Sequence, residues 1–428
     1  IKRGEITALD LVRDCLERIE QTDGAIQAWQ HLDEAHALEQ AEALDDLRAR
    51  GKPLGPLHGI PVGIKDIIDT ADMPTEYGSP IHAGHQPSQD ATLVAKLREA
   101  GAVIMGKTVT TEFAFMYPGK TANPHDPAHT PGGSSSGSAA AVAAGHVPLA
   151  LGTQTAGSVI RPASFCGVYG MKPSQGMISR KGVLQTAKTL DQIGVFGRSI
   201  EDVALLTDAL TGYDAADAAC YVRAKPNLSA GARADAPVEP NFLWLELPFD
   251  GRLEDDARAG FEELRAALGG QVESLPSSEA LGNVIDHHRN IHHYELRRHL
   301  ADEFEHQGDQ LSPFIHDVLE RAADISDEAY AHSLEAMAVA KSFFAELFND
   351  YDAILTPASP GTAPLGLERT GDPTFNTIWT FAGLPCLTLP MLQGDNRLPI
   401  GVQMVAGPEE DDRLCRTANW LLKFLDQS

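Results

Sequence analysis

Apolar residues recur every three or four positions at the start of the chain, which is the period of an amphipathic helix. They are Leu9, Val12, Cys15, Leu16 and Ile19. Thr7 and Asp10 have the spacing of a capping box, so this helix is predicted to begin after Thr7. A second helical pattern, rich in Ala and Glu, covers about residues 33–50 and ends at Gly51. Both helices are expected to pack on the outside of a core.

Short apolar runs bounded by Gly, Pro or polar residues alternate with further helical patterns, and they predict strands. Strands are predicted at residues 57–67, 103–105, 148–152, 242–245, 353–357, 387–390 and 402–405. Helices are predicted at residues 90–101, 199–210, 254–268 and 409–424. Asp90 and Ser199 are the expected N-caps of the first two of these helices. The alternation predicts an α/β fold with a mixed, largely parallel central sheet flanked by helices.

The stretch from about residue 280 to residue 350 has a different pattern. It is almost continuously helical and carries no strong strand signal. Strand patterns resume at residue 353. We therefore expect a helical cap or insertion within a single domain that spans residues 1–428.

Composition restricts the classes of function. Hydrophobic residues make up 43% of the chain and charged residues 22%, which is typical of a soluble globular enzyme. The net charge of −26 opposes nucleic-acid binding, because phosphate contacts need clustered Lys and Arg. No two of the five cysteines form a CxxC motif, which argues against a disulfide framework or a zinc knot. This cysteine pattern favours a reducing, cytoplasmic compartment. No apolar run is long enough to span a bilayer, so no membrane partner is expected.

Two turns rich in Gly and Ser carry the candidate chemistry. The surrounding stretch, residues 131–162, reads PGGSSSGSAAAVAAGHVPLALGTQTAGSVIRP. Small residues let backbone N–H groups approach a ligand closely and leave a hydroxyl uncovered. If the two turns face each other, they form a serine-lined pocket that stabilises an oxyanion. The alternative is two flexible surface loops, which rarely frame so much alanine.

Lys65 stands at or near the end of the predicted strand 57–67. A strand lysine commonly reaches solvent from a sheet edge, and this interpretation suits Lys65 considered alone. The serine turns need a base, however, because a serine hydroxyl is a weak nucleophile until its proton is removed. Burial among Ile60, Val62 and Ile64 would keep the amine uncharged and able to accept that proton.

Three arrangements of the serines compete, and the first makes Ser135 the nucleophile. Residues 133–137 read GSSSG and match the GxSxG elbow of α/β-hydrolases, in which a later Asp and His complete a triad. The elbow should follow a strand, whereas residues 125–131 have the composition of a loop. In another arrangement all these serines only bind a phosphate or another anion.

The remaining arrangement makes Ser158 the nucleophile. Ser158 follows the predicted strand 148–152, and Ser134 would relay its proton to Lys65. Backbone N–H groups of the second turn would stabilise the developing oxyanion. These groups belong to Thr155, Ala156, Gly157 and Ser158.

Two further motifs match known sites only in part. Residues 101–108 satisfy the phosphate-loop pattern GxxxxGK[ST]. That motif needs a strand before the first glycine and a polar loop inside it, whereas here a helix precedes the glycine and apolar strand residues fill the loop.

Two histidine pairs lie one helical turn apart; they are His287, His288, His292 and His293. Without an HExxH glutamate or a third clear ligand, a polar face near a substrate mouth is expected there, and no metal.

Three separated stretches resemble the amidase signature family. They are GIPVGIKD, which contains Lys65, PGGSSSGSAAAVAAG, which contains Ser134, and GTQTAGSVIRPASFCGVYGMKP, which contains Ser158. They occur in family order, and the two serines lie 24 positions apart (158 − 134), as the family pattern has them. The resemblance extends over nearly the whole chain.

The resemblance implies a Ser–cisSer–Lys triad. Ser158 is then the acylated nucleophile, Ser134, which a cis peptide precedes in the family, is the proton relay, and Lys65 is the general base and acid. The resemblance also implies a mixed sheet flanked by helices, hydrolysis of an amide or related C–N bond, and no cofactor. The expected partner is a small-molecule amide or carbamate, and the expected assembly is a monomer or homodimer.

The motifs depart from the family pattern at three positions. Gln154 stands where the family frequently has Asp. Ser136 stands where it usually has Gly, and Val109 stands where Asn is common. The glutamine-hydrolysing subunit of tRNA-dependent amidotransferases belongs to this family and usually keeps that Asp. The replacement of that Asp by Gln154 and the acidic surface argue against this role. We keep it as the alternative function.

Apolar segments beside the motifs suggest a pocket for an aryl or alkyl group, although they suit a core equally well. They are residues 113–116 and 378–379. The residues expected to contact substrate are Met116, Gly133 and Trp379. Aryl amides, carbamates and urea-like bonds all suit the chemistry, because each passes through a similar tetrahedral oxyanion.

Overall fold

A computed structural model describes residues 1–277 and 281–427. The strands are β1 (Trp29–Leu32), β2 (Pro61–Lys65), β3 (Val103–Thr108), β4 (Leu149–Gln154), β5 (Tyr169–Lys172), β6 (Gln192–Gly197), β7 (Phe242–Glu246), β8 (Val272–Pro276), β9 (Ala353–Pro357), β10 (Cys386–Gln393) and β11 (Pro399–Val405). The α-helices are α1 (Ala8–Ile26), α2 (Glu34–Ala49), α3 (Thr92–Glu99), α4 (Ser136–Ala143), α5 (Ile160–Cys166), α6 (Ile200–Leu210), α7 (Leu228–Arg233), α8 (Asp255–Leu268), α9 (Val284–His299), α10 (Ala301–Gln307), α11 (Pro313–Arg321), α12 (Asp327–Leu347), α13 (Thr374–Ala382) and α14 (Asp411–Leu425).

These strands form one sheet in the order β1-β3-β2-β4-β6-β5-β10-β11-β9-β7-β8. Parallel pairing joins β3, β2 and β4 in one group and β8, β7 and β9 in another. The remaining neighbours pair antiparallel. The predicted mixed sheet with flanking helices is confirmed, and its parallel pairs are concentrated in these two groups.

Local sequence sets the start of α1 but not that of α3. Thr7 Oγ1 accepts from Asp10 N at 2.9 Å and Asp10 Oδ2 accepts from Thr7 N at 3.0 Å, so the predicted capping box of α1 is present. Asp90 is not the cap of α3, and that prediction is wrong. Ala91 occupies the N-cap position. The Asp90 carboxylate instead accepts from Arg98 Nε at 2.9 Å, at the other end of the helix.

Two parallel strands place the candidate chemistry. β2 and β4 are neighbours that run toward the same edge of the sheet. Because the carboxyl ends of parallel strands meet at one edge, Lys65 at the end of β2 lies beside Thr153 in β4. Gly152 lets the first serine turn approach β4, since a Cβ there would come within 2.6 Å of Ser135 Oγ.

The alanine-rich run between the two turns forms α4, which is buried at all but one of its positions. Small side chains allow this helix to pack closely on β4 and α5. The two serine turns are thereby attached to the interior of the molecule. The alternative of two flexible surface loops is wrong.

The region between β8 and β9 contains the helices α9, α10, α11 and α12, and no strand lies among its described residues 281–352. α9 packs against α12 and α13. The predicted start of the helical stretch at residue 280 lies outside the described residues. No helix in the described part of the chain has the length and apolarity needed to cross a bilayer.

Candidate active site

Lys65 is buried at the end of β2 with none of its surface exposed. Its Nζ lies 2.7 Å from Ser134 Oγ and 2.8 Å from Thr153 Oγ1. Both partners are hydroxyls, which compensate an ammonium charge less than a carboxylate would. Burial lowers the pKa of Lys65 well below its usual value, and the charge of Asp191 raises it in part. Lys65 does not reach solvent, and an uncharged amine at this position is able to accept a proton.

Asp191 connects the second turn to a neighbouring loop. Its carboxylate accepts from Thr155 Oγ1, from Thr186 N at 2.7 Å and from Ala187 N at 2.9 Å. Burial raises the pKa of Asp191, and these donors oppose that shift. Asp191 therefore fixes the start of the second turn and sets a negative charge near Lys65.

Ser134 is held in place through the backbone on either side of it. The Gly133–Ser134 peptide is cis. Arg161 Nη2 donates to Gly133 O at 2.7 Å, and Thr111 N donates to Ser134 O at 3.3 Å. The Ser134 hydroxyl is directed at Lys65 by a backbone that other elements support.

The second turn presents a row of backbone N–H groups. Among the described residues, no hydrogen-bond acceptor is found for the amides of the four residues from Thr155 to Ser158. The next two amides, of Val159 and Ile160, donate to Gln154 Oε1 at 2.8 and 3.0 Å. The first four N–H groups thus stay available to a ligand that carries negative charge on oxygen.

The carbonyls of this turn are held by side chains from two other elements. His288 Nε2 of α9 donates to Thr155 O at 2.7 Å, and Thr380 Oγ1 of α13 donates to Ala156 O at 2.7 Å. Gly157 allows α13 to approach, because a Cβ there would lie 2.4 Å from Asn376 Oδ1. The orientation of the peptide groups is therefore set by contacts outside the turn.

A cavity of about 330 Å³ opens onto this turn. The stretch from Thr155 to Ser158 forms one wall, and side chains of α9 form another. Ser158 has 8% of its surface exposed, whereas Ser134 has 1%. Ser158 therefore faces the cavity, while Ser134 and Lys65 lie behind it.

Of the three residues that the sequence assigns to substrate contact, one lines the cavity and two lie elsewhere. Met116 lines the cavity and is 39% exposed. Gly133 contributes its carbonyl to Arg161 and is not among the described residues that line the cavity. Trp379 is fully buried in the core, with its ring centroid 5.2 Å from that of Phe344.

Ser135, the rival nucleophile, is fully buried. Its hydroxyl donates to Thr153 O at 3.2 Å and accepts from Thr153 N at 3.3 Å. It is not among the described residues that line the cavity. The residues before it, 125–131, form no strand, as expected from their composition.

Lys107, the lysine of the phosphate-loop pattern, lies inside β3 and is fully buried. Its Nζ donates to Ile68 O at 2.8 Å and to Thr75 Oγ1 at 2.5 Å, and it pairs with Asp66 at 3.4 Å. α3 precedes the pattern and strand residues fill it, so the context of a phosphate loop is absent here.

The α9 histidines have different surroundings. His288 donates to the second turn, His292 Nε2 lies 3.4 Å from Thr186 Oγ1, and His287 Nδ1 lies 3.2 Å from Ser333 Oγ. Burial lowers the pKa of His288 and of His293 to about 4. His288, His292 and His293 line the cavity as neutral rings, in agreement with the predicted polar face near a substrate mouth. No metal-binding cluster of three or more ligand side chains is found within residues 1–277 and 281–427.

Three residues of the site were not predicted from the sequence, namely Thr153, Arg161 and Asp191. The histidine pairs predicted a polar face, but not the hydrogen bond of His288 to the second turn. Thr153 and Arg161 lie inside the quoted motifs, among small and apolar residues. A hydroxyl and a guanidinium in such surroundings could have been recognised as candidate site residues. Asp191 is the only acidic residue in the sequence between Asp126 and Glu201. The partner of His288 lies 133 positions away along the chain, and no local pattern connects them.

The chain shares its mixed α/β fold with a solved structure described as an amidase, with a TM-score of 0.86 and 29% identity over 98% of this chain and 97% of the other. The Amidase family model matches residues 10–238 and 281–415, and the chain belongs to this family.

The chain is similar to a glutamyl-tRNA(Gln) amidotransferase subunit of Chloroflexus aggregans, with 34% identity over 99% of this chain and 94% of that protein. Its fold matches a structure described as a vestigial protein complex that reveals the evolutionary origins of an s-triazine catabolic enzyme. That match has a TM-score of 0.92 and 30% identity, and covers 99% of this chain and 96% of the other. The peptide amidase of Stenotrophomonas maltophilia matches with a TM-score of 0.84 and 29% identity, over 99% of this chain and 94% of that one.

Proposed function

We propose that this protein hydrolyses the C–N bond of small non-peptide amides, with Ser158 as nucleophile, Ser134 as proton relay and Lys65 as general base and acid. Aryl amides and carbamates are the substrates to test first. The observation that carries the proposal is the buried amine of Lys65, 2.7 Å from Ser134 Oγ. A lysine held uncharged in this way has no evident structural purpose, since hydroxyl partners compensate its burial poorly.

These positions support the following mechanism. Ser158 Oγ attacks the substrate carbonyl carbon as its proton passes through Ser134 to Lys65 Nζ. The backbone amides of residues 155–158 stabilise the oxyanion of the tetrahedral intermediate. Lys65 then returns the proton through Ser134 to the leaving nitrogen, so an amine departs and Ser158 remains acylated. Water attacks the acyl-enzyme with the same proton path and releases the acid.

Covalent labelling tests the assignment of the nucleophile. We expect a serine-directed inhibitor such as a sulfonyl fluoride to form a stoichiometric adduct on Ser158, located by peptide mass spectrometry. Ser158→Ala, Ser134→Ala and Lys65→Ala are each expected to lower kcat on an anilide by at least about 10³-fold, because the three residues act as one unit.

Ser135→Ala is the matched control. It removes a neighbouring serine of the same turn as Ser134. Among residues 1–277 and 281–427, the hydroxyl of Ser135 bonds only to the Thr153 backbone. We expect a loss of stability in this variant but labelling at Ser158 as before. An adduct on Ser135 in the unmodified protein would contradict the proposed triad.

The curated relatives favour a second candidate, a glutamine-hydrolysing subunit of a tRNA-dependent amidotransferase, because the chain is 34% identical to such subunits along nearly its full length. That role predicts glutaminase activity that increases with partner subunits, and stable association with them. The proposed amidase instead predicts turnover of simple anilides or carbamates by the pure chain, with glutamine ignored. Measuring both activities on one preparation separates the two functions.

A further inference from the structure

The cavity of the active site continues into a second, larger cavity, which we call the outer cavity. The volume of the outer cavity is about 740 Å³, against about 330 Å³ for the first. The two cavities share four lining residues, namely Met116, Arg252, Asp372 and Pro373. Because Ser158 lines the first cavity, a molecule bound at Ser158 has room to extend into the outer one.

Large apolar side chains are exposed on one wall of the outer cavity. Met116 is 39% exposed, Tyr117 47% and Phe314 39%. Pro118 and Pro364 line the same space. Exposed apolar side chains that lie together mark sites of binding, and aromatic rings and thioethers pack well against apolar groups. This wall is suited to cover an apolar part of a ligand.

The segment that carries Met116 and Tyr117 has a strained backbone. Phe113 and Ala114 have φ angles of 47° and 56°, in a region that residues other than glycine rarely adopt. Phe113 is fully buried, and its N–H donates to Tyr77 O at 2.8 Å. Such conformations persist where the surroundings fix them, and they are concentrated at ligand sites. The strain supports a functional reason for placing Met116 and Tyr117 on an open wall.

Phe314 reaches the outer cavity from α11, a helix of the region between β8 and β9. Ser312 is the N-cap of α11, and its N–H donates to Glu112 Oε1 at 3.2 Å, which ties the start of the helix to the strained segment. The ring centroid of Phe314 lies 5.9 Å from that of Phe115. Phe115 lines the first cavity. The two rings therefore form a continuous apolar surface from one cavity to the other.

The charged groups that line the outer cavity sum to zero within the described part of the chain. They are Arg252, Glu368, Arg369 and Asp372. One pair is already formed, since Arg252 Nη1 donates to Asp372 Oδ2 at 2.9 Å. A balanced set of charges gives no general preference for an anion or a cation. A neutral group therefore fits the outer cavity best.

We infer that the outer cavity is a specificity subsite for a neutral, apolar arm of the substrate, aryl or alkyl, attached within a few atoms of the scissile amide. The inference rests on the proposed function and specifies its substrate class. The reacting carbonyl lies at the turn of residues 155–158 in this arrangement, and the arm lies between Met116 and Phe314. Each methylene of the arm that becomes fully buried is expected to increase affinity about fourfold.

Two series of anilides test the inference, one varied on the acyl side and one on the amine side. The first contains the p-nitroanilides of acetic, butyric, hexanoic and 4-phenylbutyric acid. The second contains acetanilide, 4-butylacetanilide and 4-phenylacetanilide. In at least one series we expect kcat/KM to rise at least about tenfold from the shortest member to the longest. No rise in either series, with amides still hydrolysed, would overturn the inference and leave the proposed function intact.

Variants of the apolar wall locate the effect. Phe314→Ala and Met116→Ala are each expected to reduce the ratio of kcat/KM between the longest and shortest member at least about threefold, because apolar contact area is lost. Phe314→Leu keeps an apolar side chain and should recover most of the ratio.

Tyr213→Ala is the matched control. Tyr213 is 57% exposed and is not among the described residues that line either cavity. The ratio is expected to persist in this variant. If Tyr213→Ala lowers the ratio as much as Phe314→Ala does, the assignment to the outer cavity is wrong.

A binding measurement on Ser158→Ala separates the subsite from catalysis. In the series that responds, we expect calorimetry to show the longest member binding at least about tenfold more tightly than the shortest, and Phe314→Ala to reduce this difference. If the native protein hydrolyses no amide but this binding preference is found, the proposed function fails and the subsite stands. If neither binding nor turnover favours the apolar arm, the subsite is refuted.

Discussion

The protonation state of Lys65 depends on what surrounds its amine. Burial disfavours the ammonium, and the two hydroxyls at 2.7 and 2.8 Å offset this only in part. Asp191 acts in the opposite direction, since its negative charge favours the ammonium. The balance decides at which pH the base becomes available.

Activity is therefore expected to rise with pH and reach a plateau once Lys65 has lost its proton, with the midpoint well below the usual lysine range. In Asp191→Asn the charge that holds the proton on Lys65 is removed. The ascending limb of kcat/KM against pH should then move to lower pH. Steady-state kinetics between mildly acidic and alkaline pH measures this.

Asp235→Asn is the control for this shift, because Asp235 forms an ion pair with Lys423 and has a side chain 88% exposed. Its pH profile should match that of the native protein. A flat profile in the native protein, or a shift to higher pH in Asp191→Asn, would contradict the role of Lys65 as the base.

At the scale of secondary-structure elements, the turn between β4 and α5 depends on three neighbours. His288 of α9 and Thr380 of α13 hold its carbonyls, and Gln154 at the end of β4 accepts from two amides of the following helix. Gln154 also donates from Nε2 to Thr380 Oγ1 at 2.9 Å. The amide side chain of Gln154 thus satisfies the first backbone donors at the start of α5.

Gln154→Ala is expected to lower the free energy of unfolding by about 2–4 kcal/mol, because it leaves two buried N–H groups without an acceptor. Activity should fall as well, since the adjacent oxyanion amides lose their support. Chemical denaturation and steady-state kinetics on one preparation measure both effects.

Gln271→Ala serves as the control, because Gln271 makes an exposed hydrogen bond to Glu239. Its effect on stability should stay within about 0.5 kcal/mol. If Gln154→Ala is as stable and as active as this control, then the turn does not depend on Gln154.

At the scale of the whole molecule, acidic residues outnumber basic ones by 60 to 34. Such a net charge keeps a protein in solution but destabilises the compact state through self-repulsion. The cavity does not share this excess, because arginines predominate among its charged residues. The surface and the cavity are therefore electrostatically distinct.

Screening this repulsion should stabilise the fold. We expect the unfolding temperature to rise by at least about 2 °C when NaCl is increased from about 20 mM to about 300 mM. Scanning calorimetry at neutral pH measures the change. A constant or falling unfolding temperature would show that the surface charges are already balanced by local pairs.

Local sequence was sufficient where the determinant lies within a few residues. The capping box at Thr7, the cap of α6 at Ser199 and the β4 strand before Ser158 were all predictable, because each depends on neighbours in the chain. Asp90 shows the limit of such rules. Its carboxylate accepts hydrogen bonds from Arg98 Nε and Ala71 N, and it does not cap the start of α3.

The sequence by itself determined the α/β class, the two serine turns and the lysine that could serve them, because strand patterns, glycine and side-chain chemistry are properties of the chain. Only the tertiary structure decided that Lys65 is buried against Ser134, that Ser135 bonds to Thr153, and that Trp379 lies in the core. Burial and the distance between two side chains depend on which strands become neighbours. Long-range pairing sets that choice, and a local pattern does not encode it.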